Sequence, residues 1–192
     1  MLYLNDHIWG FPLDEALRQL SEQRREQALR FRHELGRRTC AAAYLLLCQG
    51  LRQEYGITEL PLFGYGEHGK PYIVGHPEIH FNMSHCREAA ICVLSHQPVG
   101  VDVESVRSFS DSLISYAMND EEAAIISQAA RPDLAFIKIW TQKEAVLKFT
   151  GEGINDQMKH VLENCAHRLT TVVSADERYV YTVCEPSPVV SD

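Results

Sequence analysis

The chain has 192 residues, 45% of them hydrophobic and 23% charged, with a formal net charge of −8. That length can bury a real core in one domain or two small packed ones, and the acidity excludes a dedicated nucleic-acid binder, which needs a cationic surface against phosphates. No stretch approaches the roughly 18 uncharged apolar residues of a membrane span, and the opening MLYLNDHIWG lacks the basic start and apolar run of a signal peptide, so a cytoplasmic protein is expected.

The elements alternate. A strand-like YLNDHIW opens the chain, and Pro12 and Asp14 then introduce a helical region with Leu13, Leu17 and Leu20 at helical spacing. A second helix is expected from Gly36 to about Tyr55, carrying AAAYLLL and ending before Gly56. After a turn-rich loop, GYGEHGKPY, come three strand candidates, EIHFNMS, AAICVLS and VGVDVE, the last two joined as a hairpin through His96-Gln97-Pro98.

The second half turns helical. Asn119 or Asp120 is placed to cap EEAAIISQAA, Pro132 breaks that run, and Asp133 caps LAFIKIWTQKEAVLKF, which stops at Gly151. RLTTVV and RYVYTV read as a hairpin about Ala175-Asp176-Glu177, and PSPVVSD as a loose tail. Cysteines 40, 48, 86, 92, 165 and 184 form no C-x-x-C pair and several lie in apolar runs, as reduced core thiols do.

Two stretches carry chemistry. In VGVDVE the period of two sends Val99, Val101 and Val103 to one face and Gly100, Asp102 and Glu104 to the other. Two carboxylates sharing a face repel unless a cation, a proton or solvent intervenes, and oxygen donors suit Mg²⁺ or Mn²⁺ better than zinc. A wet edge strand shows the same alternation. In WTQKEAVLK, Glu144 and Lys148 share a helix face with Thr141 one turn earlier, beside an apolar stripe of Phe136, Trp140 and Leu147. Alone this is a surface ion pair worth a few tenths of a kcal/mol. His76, His80 and His85 fit no zinc-binding face. Cys86 points away from its neighbour His85 on a strand, which argues against a thiol nucleophile paired with that histidine.

Four elements together resemble the Sfp-type 4'-phosphopantetheinyl transferases: Gly69-Lys70-Pro71, Asn82-Met83-Ser84-His85, Gly100 to Glu104, and Trp140 to Lys148, in that order across about residues 30 to 155. The resemblance implies an α+β fold of two similar α/β halves about a pseudo-twofold, residues 1–105 and 106–185 with a tail at 186–192, and an active site at their junction. It implies transfer of 4'-phosphopantetheine from coenzyme A to a serine of an apo acyl or peptidyl carrier protein, releasing adenosine 3',5'-bisphosphate, by a monomer. Asp102, Glu104 and Glu144 would hold Mg²⁺. Lys148 would contact the pyrophosphate with Lys143 beside it, Ser84 and His85 would touch the phosphates, and Lys70 would sit near the adenine-bearing end. Arg38, with Arg37 beside it, would meet the 3'-phosphate, with Arg30 and Arg32 as further candidates. For the base, the residues leave open Glu144 itself or a metal-held water. Another Mg²⁺-dependent phosphate-ester enzyme, such as a phosphohydrolase, would account for the acids but not for N-M-S-H or GKP. A non-catalytic coenzyme A or carrier-binding module would have no need of Asp102, Glu104, Glu144 and Lys148.

Overall fold

Strands with one apolar face need a helix or another sheet to cover it, and the computed structural model, which describes residues 1–153, 157–163 and 165–187, shows both solutions. Most of the expected tail, residues 188–192, lies outside the described residues. The elements run β1 (Leu2–Asn5), α1 (Leu13–Arg18), α2 (Glu22–Leu29), α3 (Glu34–Tyr55), β2 (Phe63–Tyr65), β3 (Pro71–Ile73), β4 (His80–His85), β5 (Ala90–Ser95) and β6 (Gly100–Ser105). They continue α4 (Asp111–Ala117), α5 (Asp120–Gln128), α6 (Pro132–Thr150), a 3₁₀ turn (Met158–His160), β7 (Arg168–Val173) and β8 (Tyr179–Glu185). This is a mixed α+β architecture.

Strand β5 lies between β1 and β4 in one antiparallel sheet, β8 lies between β6 and β7 in another, and β2 pairs with β3 as a separate ribbon. The expected β5–β6 hairpin therefore does not form. Both edges of β5 are already filled, so residues 96–99 carry the chain to the second sheet, where Gly100 pairs with Cys184 and Ser105 with Tyr179. Hydrogen bonding thus groups β6 with the C-terminal strands, ahead of the division expected near residue 105. The β7–β8 hairpin forms as expected, and GYGEHGKPY supplies the turn of the β2–β3 ribbon rather than a free loop.

Helix α3 lays Leu47 and Leu51 on Phe81 and Leu94 of the first sheet. In the C-terminal half Phe136, Ile137 and Leu147 of α6 pack with Ile126, Met158 and Val180. A third cluster joins the two sheets: Val99, Val101 and Val103, all 1% exposed or less, meet Ile91, Val93 and Tyr179. Full burial of such a side chain is worth about 1.5–3 kcal/mol, so the valine face of β6 is committed to this seam and the Gly-Asp-Glu face must turn toward α6.

Helix ends follow local chemistry. Asn119 caps α5 through a complete capping box with Glu122. Asp133 does not cap α6; Arg131 holds the N-cap position, Pro132 opens the helix, and Asp133 pairs with Arg131 at 2.8 Å. The helix ends at Gly151, whose φ of 82° favours glycine. Helix α4, capped by Ser110, is too short to show a periodic pattern in sequence.

Candidate active site

Gly100 explains how α6 reaches the acids of β6. A Cβ there would stand 2.1 Å from the Ala145 carbonyl oxygen and 2.5 Å from the Phe149 nitrogen, so only glycine lets the helix backbone lie directly on the strand. The helix is fixed in rotation by the Thr141 hydroxyl, which is within 2.9 Å of the Thr182 hydroxyl on β8. Glu144 and Lys148 then face Asp102.

Lys148 Nζ donates to Asp102 Oδ1 at 2.6 Å and to Ser84 Oγ at 2.9 Å, and Ser84 Oγ donates to the same Asp102 oxygen at 2.9 Å. Three motifs distant in sequence thus meet at one carboxylate. Asn82 holds the arrangement from behind, its Oδ1 accepting from Val101 N at 3.3 Å. The lysine's partner is Asp102, not the Glu144 one turn before it, so the bland reading of a surface helix pair does not hold.

The acids are under electrostatic strain. Burial, then the charge of Asp102, pushes both Glu104 and Glu144 up to about 7, with Arg107 and Lys148 opposing the rise at Glu104 and Lys148 opposing it at Glu144. Asp102 Oδ2 is buried without a hydrogen-bond partner, a costly position for an acceptor. Among the described residues no three His, Cys, Asp or Glu side chains stand close enough to form a metal cage. Mg²⁺, however, commonly binds through one or two carboxylates, completing its sphere with water and substrate phosphate. An orphaned carboxylate oxygen and two proton-seeking acids beside it fit such a hard cation in donor chemistry.

Two cavities are lined by these acids, one by Glu144 and the other by Glu104. A cleft of about 350 Å³ has Lys70, His85, Glu144 and Lys148 in its wall. A second cavity of about 410 Å³, more aromatic, runs from Glu104 past Arg107, Phe109 and Leu113 to Phe136 and Trp140. In the cleft, burial and the nearby Arg24 and Lys148 charges press the His85 pKa down to about 4. His85 is therefore neutral near pH 7, not a cation. Lys70, its pKa lowered by burial, places its ammonium on the Phe149 carbonyl at 2.7 Å, tying the C-terminal end of α6 to the ribbon.

Three expected contacts fall elsewhere. Lys143 is fully buried and turned away from the cleft, paired with Glu122 at 2.7 Å; one residue round the helix from Glu144, it points about 100° away. Arg38 is bound to Glu34 at 2.8 Å and to the Phe11 carbonyl at 2.6 Å, with Trp9 stacked on it. Arg37 donates to the Phe31 carbonyl at 2.9 Å. Neither arginine lines the cleft, and Arg30 and Arg32 are exposed. The arginine that does line the cleft is Arg24 of α2, which lies 5.9 Å from the centre of the Tyr44 ring and keeps a buried Nε without a partner. Its sequence signal, one arginine in the run EQRREQ, is indistinguishable from a solvated helix face.

A family model described as the 4'-phosphopantetheinyl transferase superfamily matches residues 98–184, the span from β6 to β8. A 4'-phosphopantetheinyl transferase of Bacillus subtilis is 26% identical over 205 residues, covering 97% of this chain and 91% of the relative. The 4'-phosphopantetheinyl transferase HetI of a Nostoc species is 30% identical over 164 residues, 77% of this chain and 69% of the relative. The 4'-phosphopantetheinyl transferase AcpT of Salmonella typhi is 30% identical over 142 residues, 69% of this chain and 71% of the relative.

Proposed function

Since the chain belongs to the 4'-phosphopantetheinyl transferase superfamily, we propose that it moves 4'-phosphopantetheine from coenzyme A to a serine of an apo acyl or peptidyl carrier protein. The observation that carries this reading is that two unlike cavities are lined by neighbouring acids, Glu144 in the cleft and Glu104 in the aromatic cavity, both under the charge of Asp102. In phosphoryl transfer the attacking and leaving oxygens stand roughly in line, so donor and acceptor need separate approaches to one centre. The cleft with Arg24, Lys70 and Lys148 suits the polyanionic coenzyme, and the aromatic cavity beside Glu104 suits the segment bearing the acceptor serine.

The serine hydroxyl attacks the β-phosphorus; its proton passes to Glu144, whose raised pKa suits a base near neutral pH. The bond to the leaving phosphate breaks, and Lys148 neutralises the charge gathering there. A divalent ion on Asp102 and Glu104 would supply a Lewis acid for the phosphoryl oxygens. Ser84 and His85 orient the phosphates, and Arg24, rather than Arg37 or Arg38, meets the 3'-phosphate. The two halves form a pseudo-twofold pair, each a three-stranded antiparallel sheet covered by one long helix, α3 or α6. The site draws on both within one chain, so a monomer suffices. No helix among the described residues is long and apolar enough to cross a membrane, in keeping with a cytoplasmic enzyme.

Incubation with Mg²⁺, coenzyme A and apo carriers, followed by mass spectrometry of the carrier, should show one phosphopantetheine added. No gain on either acyl or peptidyl carriers would overturn the reading. Phosphate release from coenzyme A without carrier gain would point to a phosphohydrolase, and binding without turnover to a non-catalytic module.

The arginine assignment has its own check. Arg24→Ala is expected to weaken coenzyme A by roughly tenfold to a hundredfold, the worth of a charge-assisted contact, and to leave 3'-dephospho-coenzyme A nearly unaffected. Arg38→Ala should change the two ligands equally. Titration calorimetry with both ligands separates these outcomes.

A further inference from the structure

The fully buried ammonium of Lys143 donates to the carbonyls of Ala117 at 2.8 Å, Met158 at 2.8 Å and Lys159 at 3.0 Å, and pairs with Glu122 Oε2 at 2.7 Å. Burying an uncompensated ammonium costs several kcal/mol, so these partners come together as a set. They belong to three different elements: the end of α4, the 3₁₀ turn and the first turn of α5. Glu122 Oε2 also accepts from Asn119 N at 2.9 Å, so the cap of α5 is locked into the same clasp.

Helix α4, with seven residues, is far below the length at which an isolated helix persists in water; its position depends on what holds it. Leu113 of α4 and the preceding Arg107 and Phe109 form one wall of the cavity beside Glu104, and Phe136 and Trp140 of α6 form the other. Lys143 lies on α6, the helix of the second wall, and grips the last carbonyl of α4, the helix that gives Leu113 to the first. The coenzyme cleft, by contrast, takes no lining residue from α4 or α5.

We propose that Lys143 is a positioning residue for the acceptor: by pinning α4 to α6 it sets the width of the cavity beside Glu104, and so acts on recognition of the carrier serine segment rather than on the coenzyme. The inference rests on the transferase reading of that cavity. It separates two neighbours on one helix, Glu144 serving the reaction and Lys143 the shape of the acceptor's entrance.

The test compares Glu122→Gln with the double variant Lys143→Met/Glu122→Gln, which removes both charges together and leaves no orphaned carboxylate. Both should melt below wild type. Glu122→Gln keeps the three carbonyl contacts and should keep the wild-type KM for an apo peptidyl carrier domain. The double variant should raise that KM by roughly tenfold, a loosened-geometry effect, with coenzyme A affinity by calorimetry within about twofold of wild type. A carrier KM unchanged in the double variant, or a loss of coenzyme affinity in step with it, would overturn the inference. Should the double variant fail to fold, amide hydrogen exchange of the wild type decides: residues 111–117 should be protected nearly as well as α6, and free exchange of α4 beside a protected α6 would overturn the clasp. Absence of transfer by the wild type to any carrier would instead reject the transferase reading, and this inference with it.

Discussion

Lys148→Ala is expected to lower kcat about 100-fold, some 2.7 kcal/mol of barrier, while weakening coenzyme A binding much less. Charge on the leaving phosphate grows as its bond to phosphorus breaks, so the ammonium stabilises the transition state more than the bound substrate. The variant should also lose stability in metal-free buffer, because Asp102, whose side chain is 5% exposed, would lose its 2.6 Å partner. Breaking a wholly buried pair costs 3–5 kcal/mol; with the lysine side chain 30% exposed, solvent screening reduces the expectation to about 1–2 kcal/mol. Lys148→Arg should recover part of the rate, since a planar fork does not reproduce a point charge. Single-turnover transfer at saturating coenzyme A, with melting curves for each variant, provides the measurement. A wild-type rate in Lys148→Ala would remove the residue from the reaction.

Asp102→Asn is expected to lower activity by about 100-fold or more and to weaken Mg²⁺ and Mn²⁺ binding, with a signature in the pH dependence of stability. Glu104 and Glu144 stand at about 7 in the folded protein, above an unfolded value near 4.3. The folded state therefore holds their protons more tightly. Their stabilising contribution is fully present below the unfolded value and is lost as pH rises through about 7. Metal-free wild type should accordingly lose melting temperature from this source between roughly pH 5 and pH 8.5, and Mg²⁺ should restore most at the alkaline end, where the acids are ionised. Asp102→Asn removes the second cause of both shifts but not the first, burial, so the slope should shrink without vanishing. Melting temperatures over this range, with and without Mg²⁺, and Mn²⁺ binding followed by electron paramagnetic resonance test it together. An unchanged slope with unchanged metal affinity would make Asp102 a purely structural partner of Lys148.

The α+β class, the β4, β5 and β6 strands, the β7–β8 hairpin and the long helices α3 and α6 were legible in the sequence because their signals are local: a period of two or 3.6, a capping residue before a run, a glycine after it. The face of β6 carrying Asp102 and Glu104 followed from alternation alone, but the contacts of Asp102 with Ser84 and Lys148 did not, because they join side chains from three separate elements. Tertiary structure decided the rest. Alternation cannot say which edge of β5 is free, and both are filled, so β6 crosses to another sheet. Arg37 and Arg38 are adjacent near the start of the 22-residue α3, and only the packing of α1 and α2 over that end turns Arg38 toward Phe11 and brings Arg24 to the cleft. Lys143 and Glu144 are adjacent letters in one motif, yet about 100° apart on the helix, and the fold gives one to a buried clasp and the other to the acids. Sequence by itself determined which chemical groups this protein carries and which of them share a local face; how distant faces are turned toward one another, and hence which lysine reaches Asp102 and which is buried against Glu122, is set by burial and packing over the whole chain.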